Sequence, residues 1–433
     1  MKKPFLLRPA AALAAAVLLL AGCGGGGGDG PSVTPGVPPG GSASYAEVPG
    51  DPQSCTVDRQ KKFVRAYLDE VYLWYDEIPA VDPARYSTAS DYFDALLVRT
   101  PDATGRPKDR FSAAIPTAES VDLSVLRDGT PGDVIKNHDA TNPVPVVRVD
   151  TSPGGRRVGY IQFNDHETGA QDHLIDAFRQ MKTAGVQDLV LDLRRNSGGF
   201  LYVALAAASM ITGPAAEGQV FERLRYNGKR QALTDASVLR FSSRAQFTER
   251  DYPAGTQLPQ LGLPRVFILT SGSTCSASES IINALRGINI KVITIGTTTC
   301  GKPYGFTRKD NCGIAYFPIE FQGTNAKGFG DYQGGFRPVC QIQDTGATPG
   351  GGSDQLLKGA HTYADSGACP AGTATGVQSA AVPILGEERP GRRFTGRLLL
   401  PQQQAPRGAG RSPRGRRHTG RRKEESSRRG GGH

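Results

Sequence analysis

The chain has 433 residues, 51 Lys or Arg against 41 Asp or Glu, and a formal net charge of +10. That charge does not mark a nucleic-acid-binding domain: residues 389–433 alone hold fourteen Lys or Arg and two Glu, and everything before them is slightly acidic. With both ends set aside, about 330 residues remain, ample for a sizeable core and accessory units.

The N-terminus reads as a processing segment. Lys2, Lys3 and Arg8 precede an apolar stretch ending at Leu20, and Leu20-Ala-Gly-Cys23 has the shape of a lipoprotein cleavage box, with Cys23 the lipidated residue. The apolar run is shorter than the ~20 residues a transmembrane helix needs. Residues 24–54 are Gly- and Pro-rich, as a tether should be. The expected location is periplasmic, lipid-anchored to the envelope at the outer membrane. Six cysteines follow: Cys55, Cys275, Cys300, Cys312, Cys340 and Cys369. An even count in an exported chain suggests disulfides. Cys300 with Cys312 and Cys340 with Cys369 are the local pairings, which leaves Cys55 for Cys275. No C-x-x-C pair occurs, so no metal site is expected.

Residues 55–118 read as an N-terminal helical domain. Phe63, Tyr67, Val71 and Trp74 recur at helical spacing, with Pro79 as the stop; residues 92–98 form a second apolar helix. A polar loop surrounds Asp109-Arg-Phe-Ser112. Residues 119–150 alternate like short strands, with Val144 to Val149 the last of them. From 151 to 385 strands and helices alternate: strands at 158–163, 189–193, 266–269 and 292–295, with helices at 168–183, 200–211 and around 281–285. Such alternation implies an α/β core. Ile314 to Phe321 adds one late strand, and residues 386–433 form a disordered basic tail.

The chemistry concentrates in three turns. Thr270-Ser-Gly-Ser-Thr-Cys-Ser-Ala-Ser-Glu279 places hydroxyls between an apolar strand and a helix, and Gly301-Lys302 follows the next strand. A serine needs a neighbouring base to become a nucleophile. Lys302 can serve only when neutral, so burial must depress its ordinary pKa of about 10.4. A helix start behind Ser276 directs N–H groups at the reacting oxygen, with Ala277 N–H a natural oxyanion donor. The turn Asp192-Leu-Arg-Arg-Asn-Ser-Gly-Gly199 offers the second donor, since Gly198 and Gly199 let backbone approach a substrate closely.

These three motifs, in this order, resemble the C-terminal (tail-specific) processing peptidase family of Ser-Lys serine endopeptidases. The likeness covers roughly residues 57–335. It implies a crotonase-like core of repeated ββα units, with an N-terminal helical subdomain and a remnant β (partial PDZ) segment. It also implies Ser276 as nucleophile, Lys302 as general base, and Gly198, Gly199 and Ala277 as the oxyanion hole. No cofactor is implied; the partners are protein or peptide substrates and, through the lipid anchor, the membrane. Two departures stand out. Phe306 occupies the position, four after the lysine, where many members carry an orienting glutamine. Too few residues separate Ser112 from Val158 for a whole PDZ domain.

Rival readings attach to the same residues. Gly296 to Pro303 nearly matches a phosphate-binding loop but has Pro303 where Ser or Thr should hold magnesium. Ser278 competes with Ser276 for the nucleophile. Asp165 and His166 suggest a triad, although they read more simply as a turn. A non-catalytic peptide- or lipid-binding lipoprotein of the same fold is the alternative function.

Overall fold

The computed structural model describes residues 55–120 and 142–375. The leader, the tether, residues 121–141 of the expected β segment and the basic tail lie outside them. Among the described residues no helix is long and apolar enough to cross a membrane.

Two helices open the fold, α1 (Val57–Val71) and α2 (Ala89–Ala95). Helix α1 buries Phe63, Val64, Tyr67, Leu68 and Val71, one face of a 3.6-residue repeat. It ends earlier than the aromatic spacing predicts. Tyr72 is extended, and its buried hydroxyl donates to Asp109 Oδ2 at 2.6 Å while accepting from Val98 N–H. Trp74 therefore lies beyond the helix and packs edge-on against Tyr72 and Tyr304.

Strand β1 (Ala113–Pro116) follows, then β2 (Val146–Thr151), β3 (Arg157–Gln162), α3 (Ala170–Ala184), β4 (Asp188–Asp192) and α4 (Leu201–Ile211). Next come β5 (Val220–Tyr226), α5 (Gln231–Ala236), β6 (Val238–Arg240), β7 (Arg265–Thr270), α6 (Ala277–Gly287) and β8 (Lys291–Gly296). The described chain closes with β9 (Tyr304–Gly305), β10 (Lys309–Asn311), β11 (Ile314–Phe317), β12 (Phe321–Thr324), β13 (Cys340–Gln341), α7 (Gln355–Ser366) and β14 (Ala374–Thr375).

The central sheet runs β14-β13-β8-β7-β4-β3-β2. Its five middle strands are parallel and its two edges antiparallel. Side chains alternate across it, as pleating requires. Leu189, Leu191, Val266 and Ile268 face a core shared with α3, α4 and α6, whereas Val190, Phe267 and Leu269 face α7 on the other side. Both faces are covered, which is why these strands read as continuous apolar runs. Two smaller antiparallel sheets, β6-β5-β12-β9 and β1-β11-β10, flank it. Tyr316 and Ile319 join the core of α1 and α2, seating the helical region on the barrel-less side sheets.

The expected crotonase-like core of repeated ββα units is corrected here. A strand pair followed by a helix occurs in the central sheet once, as β2, β3 and α3; α4 and α6 each follow a single strand, β4 and β7. The fold is mixed α/β. The single late strand expected from Ile314 to Phe321 is also two strands in two sheets. Pro318, which has no N–H to give a ladder, stands at the break.

Candidate active site

Strands β4, β7 and β8 are adjacent and parallel, in registers that align Asp192 with Leu269 and Leu269 with Ile295. Their C-terminal ends therefore emerge on one edge, the usual place for a site in such a sheet. The three turns that follow them are the glycine turn, the serine turn and the lysine turn.

Ser276 stands at the head of α6 with φ 55° and ψ −118°, a backbone region that non-glycine residues rarely enter. It is half-buried. The competing hydroxyls are committed elsewhere: Ser278 donates to Asn196 O, Ser280 to Glu222, and Ser271 to Arg194 O. The glycine turn packs onto Ser276. A Cβ at Gly198 would lie 2.8 Å from Ser276 Cβ, 2.9 Å from Ala277 N and 2.6 Å from Cys275 O. Gly198 and Gly199 have φ 95° and 141°. Both the close approach and the backbone exclude a side chain here.

Asn196 shapes that turn. Its Oδ1 accepts from Gly198 N–H at 3.0 Å and pairs with His166 Nδ1 at 2.9 Å, while its Nδ2 donates to Phe163 O. Because Oδ1 can only accept, the proton lies on His166 Nδ1. His166 is fully buried, its Nε2 has no partner, and burial pushes its pKa down to about 3. The imidazole thus serves the glycine turn, which answers the triad reading. Gly199 N–H and Ala277 N–H make no hydrogen bond among the described residues. Behind the turn, the buried Arg194 guanidinium bonds Asp192 and reaches Asp354 at 2.6 Å, bracing the end of β4.

Lys302 is 6 % exposed. Burial drops its ammonium from the usual lysine range to about 8, against the opposing pull of Asp109 and Glu279. Glu279 ties the two turns together. Its Oε2 accepts from Ser276 N–H at 3.1 Å and from Lys302 N–H at 2.8 Å; its Oε1 accepts from Gly301 N–H and the Thr299 hydroxyl. Burial raises the Glu279 pKa, and these donors oppose the rise. The same bonds occupy the amides that a phosphate-binding loop would need free. No hydrogen bond joins Ser276 Oγ to Lys302 Nζ among the described residues.

Disulfides add a covalent tie. Cys275 pairs with Cys300, Cα–Cα 5.2 Å, linking the residue before Ser276 to the turn that carries Lys302. Cys55 pairs with Cys312, and Cys340 with Cys369. The expected Cys300–Cys312 and Cys55–Cys275 pairings are corrected. Adjacent parallel strands bring Cys275 and Cys300 together, which proximity in sequence does not reveal. Residue-by-residue reading also missed Asn196, Glu279 and Phe111. The glutamate was legible as the third residue of a helix opened by a serine.

Two regions of the chain match known proteins. A model of peptidase family S41 matches residues 157–310, and a model of the S41 N-terminal domain matches residues 59–113. A carboxyl-terminal-processing protease of Synechocystis sp. is 26 % identical over 254 residues, covering 57 % of this chain and 50 % of that protein. One from Picosynechococcus sp. is 29 % identical over 148 residues, covering 34 % and 30 %. The chain thus spans half or less of the curated relatives it matches. A putative S41 protease from Bacteroides fragilis has a similar structure, with TM-score 0.52 and 19 % identity over 70 % of this chain and 96 % of that one. That likeness speaks to fold alone and supports the mixed α/β arrangement in place of the crotonase-like one. Residues 59–113 and 157–310 thus resemble, in that order, the N-terminal domain and the peptidase domain of family S41.

Proposed function

We propose that this protein is a serine endopeptidase in which Ser276 is the nucleophile and Lys302 the general base. The observation that carries this reading is the single Glu279 carboxylate oxygen shared by the Ser276 and Lys302 amides. It holds a strained serine and a buried lysine in one site. With a pKa of about 8, roughly a tenth of Lys302 is neutral at pH 7, and the fraction rises with pH.

In the first step Ser276 Oγ bonds to the scissile carbonyl carbon and its proton passes to Lys302 Nζ. The resulting oxyanion is received by Ala277 N–H and Gly199 N–H; Gly198 N–H is spent on Asn196, so its part is to shape the turn. Collapse breaks the C–N bond, and the ammonium of Lys302 returns the proton to the departing amine. Water, deprotonated by Lys302, then hydrolyses the acyl ester and restores Ser276. No step requires a cofactor.

The substrates in this reading are unfolded or C-terminal segments of envelope proteins. Three disulfides suit an oxidising compartment, and Cys23 would anchor the chain to the membrane through lipid. Hydrolysis of fluorescein-labelled casein tests the core claim. Ser276→Ala and Lys302→Ala should each lower kcat by about 10³-fold or more. Full activity in both variants removes the dyad; an inert wild type favours a binding lipoprotein.

A further inference from the structure

The Lys302 ammonium nitrogen has no hydrogen bond or ion pair among the described residues. Its close neighbours are two rings: Phe306 with its centroid at 4.6 Å and Phe111 at 5.4 Å. Both distances lie within the ~6 Å over which a ring face attracts a cation. The rings come from different parts of the chain. Phe306 follows β9 on the same chain segment as the lysine. Phe111 arrives from the far end of the chain, in the loop that leaves the N-terminal helices.

That loop is fixed independently of the lysine. Asp109 is fully buried and accepts from the Tyr72 hydroxyl and from the Phe111 and Ser112 amides. Arg110 Nη2 donates to Gly301 O at 3.2 Å and to Gln333 O at 2.9 Å, and Arg110 Nη1 pairs with Asp102 at 2.9 Å. Ser112 Oγ accepts from Ile319 N–H at 2.9 Å. Arg110 therefore clamps the carbonyl next to Lys302, and Phe111 is delivered onto Nζ by a loop bonded at every residue. Phe306 is braced edge-on by Phe317 at 5.6 Å. A core residue filling space would not require the anchoring of Arg110 on the lysine turn itself.

We propose that Phe111 and Phe306 form an aromatic clamp that positions Lys302 Nζ for proton transfer, so that the Asp109–Ser112 loop of the N-terminal region completes the catalytic site. This rests on the serine–lysine reading above. The rings act twice. Their faces favour the ammonium, while their bulk excludes the water that would otherwise solvate it. The charged groups that act on the lysine are Asp109 from the loop and Glu279 from α6, while Tyr304 of β9 and Arg110 pack against the Phe111 ring.

The two ring effects have opposite signs, which makes the clamp testable by pH. Phe306→Leu and Phe111→Leu keep apolar bulk but lose the ring face. Each should lower kcat on labelled casein roughly tenfold at unchanged KM and move the acid limb of the kcat profile to lower pH. Phe306→Ala admits water and should move that limb to higher pH. Phe306→Tyr restores a ring and should recover most of the kcat lost in Phe306→Leu. Circular dichroism and labelling by a fluorophosphonate serine probe correct for any unfolded fraction, and the Phe306 series stands alone should Phe111→Leu fail to fold. Wild-type kcat and an unmoved acid limb in the leucine variants overturn the clamp while leaving the dyad intact. Undiminished activity in Lys302→Ala removes the dyad and the clamp with it, a separate and recognisable result.

Discussion

The two walls of the site are built from different materials. On the serine side, Gly198, Asn196, His166 and the head of α6 are held by backbone amides and a single amide side chain. On the lysine side, Nζ meets two rings and an apolar surround. Under the proposed mechanism the contrast follows from the chemistry asked of each. An oxyanion needs fixed N–H dipoles, which only a rigid, hydrogen-bonded backbone supplies. A lysine base needs its charge made costly, which only burial supplies. Glu279 belongs to both walls.

The comparison breaks most severely at that residue. Glu279→Gln keeps the volume but turns one accepting oxygen into an NH₂ group facing backbone donors. Both the Ser276 and Lys302 turns should shift, lowering kcat about 100-fold. Asn196→Ala touches only the serine wall, leaves His166 Nδ1–H and Gly198 N–H unpaired, and should cost somewhat less. Steady-state kinetics on labelled casein decide it. Glu279→Gln with the same kcat as wild type would mean that the shared carboxylate merely caps a helix.

How much of this could be read from the sequence follows the same division. The serine wall is local: strand, glycine turn, strand and helix head lie in contiguous motifs, so Ser276, Gly198 and Gly199 could be named from residue order. The fold around them was half legible. Apolar runs marked the central strands, but β5, β6, β9 and β10 carry alternating or short patterns that do not separate from loops. Pro318 was available as a break between β11 and β12 and went unused. Of the lysine wall, Lys302 and the position of Phe306 were legible, but Phe111 was not. Phe111 precedes Lys302 by 191 positions, and no periodicity connects a ring in one loop to an ammonium in another. Cys340–Cys369 was legible as a local pair, but the pairing of Cys55 was not, because Cys55 and Cys312 lie 257 positions apart.

Lysine burial has a thermodynamic consequence that separates the walls again. The folded-state pKa of Lys302, about 8, lies below its unfolded value. The cost of burying the ammonium is therefore fully present below pH 8 and is relieved as pH rises toward about 10.4. Lys302→Met should abolish activity yet stabilise the protein by about 2–3 kcal/mol at pH 7, with the gain shrinking above pH 8. Urea unfolding across that range measures it. Ser276→Ala, on the polar wall, should show no such pH-dependent gain; equal behaviour in the two variants would contradict a selectively strained lysine side.

The smallest expected effect concerns the covalent link between the walls. Cys275–Cys300 closes a separation of 25 residues and Cys340–Cys369 one of 29, so loop-closure entropy predicts nearly equal stabilisation, about 3 kcal/mol each. Only the first joins a residue adjacent to Ser276 to the turn of Lys302; the second starts from β13, beside the β14 edge of the sheet. Replacing each pair by serines should therefore lower the Tm similarly but divide the kinetics. The Cys275/Cys300 variant should lose severalfold in kcat, because Glu279 alone must then hold the two turns in register. The Cys340/Cys369 variant should keep kcat at temperatures where it is folded. Equal kcat in both would show that hydrogen bonds to Glu279 already fix the spacing of the walls and that the disulfide adds stability without geometry.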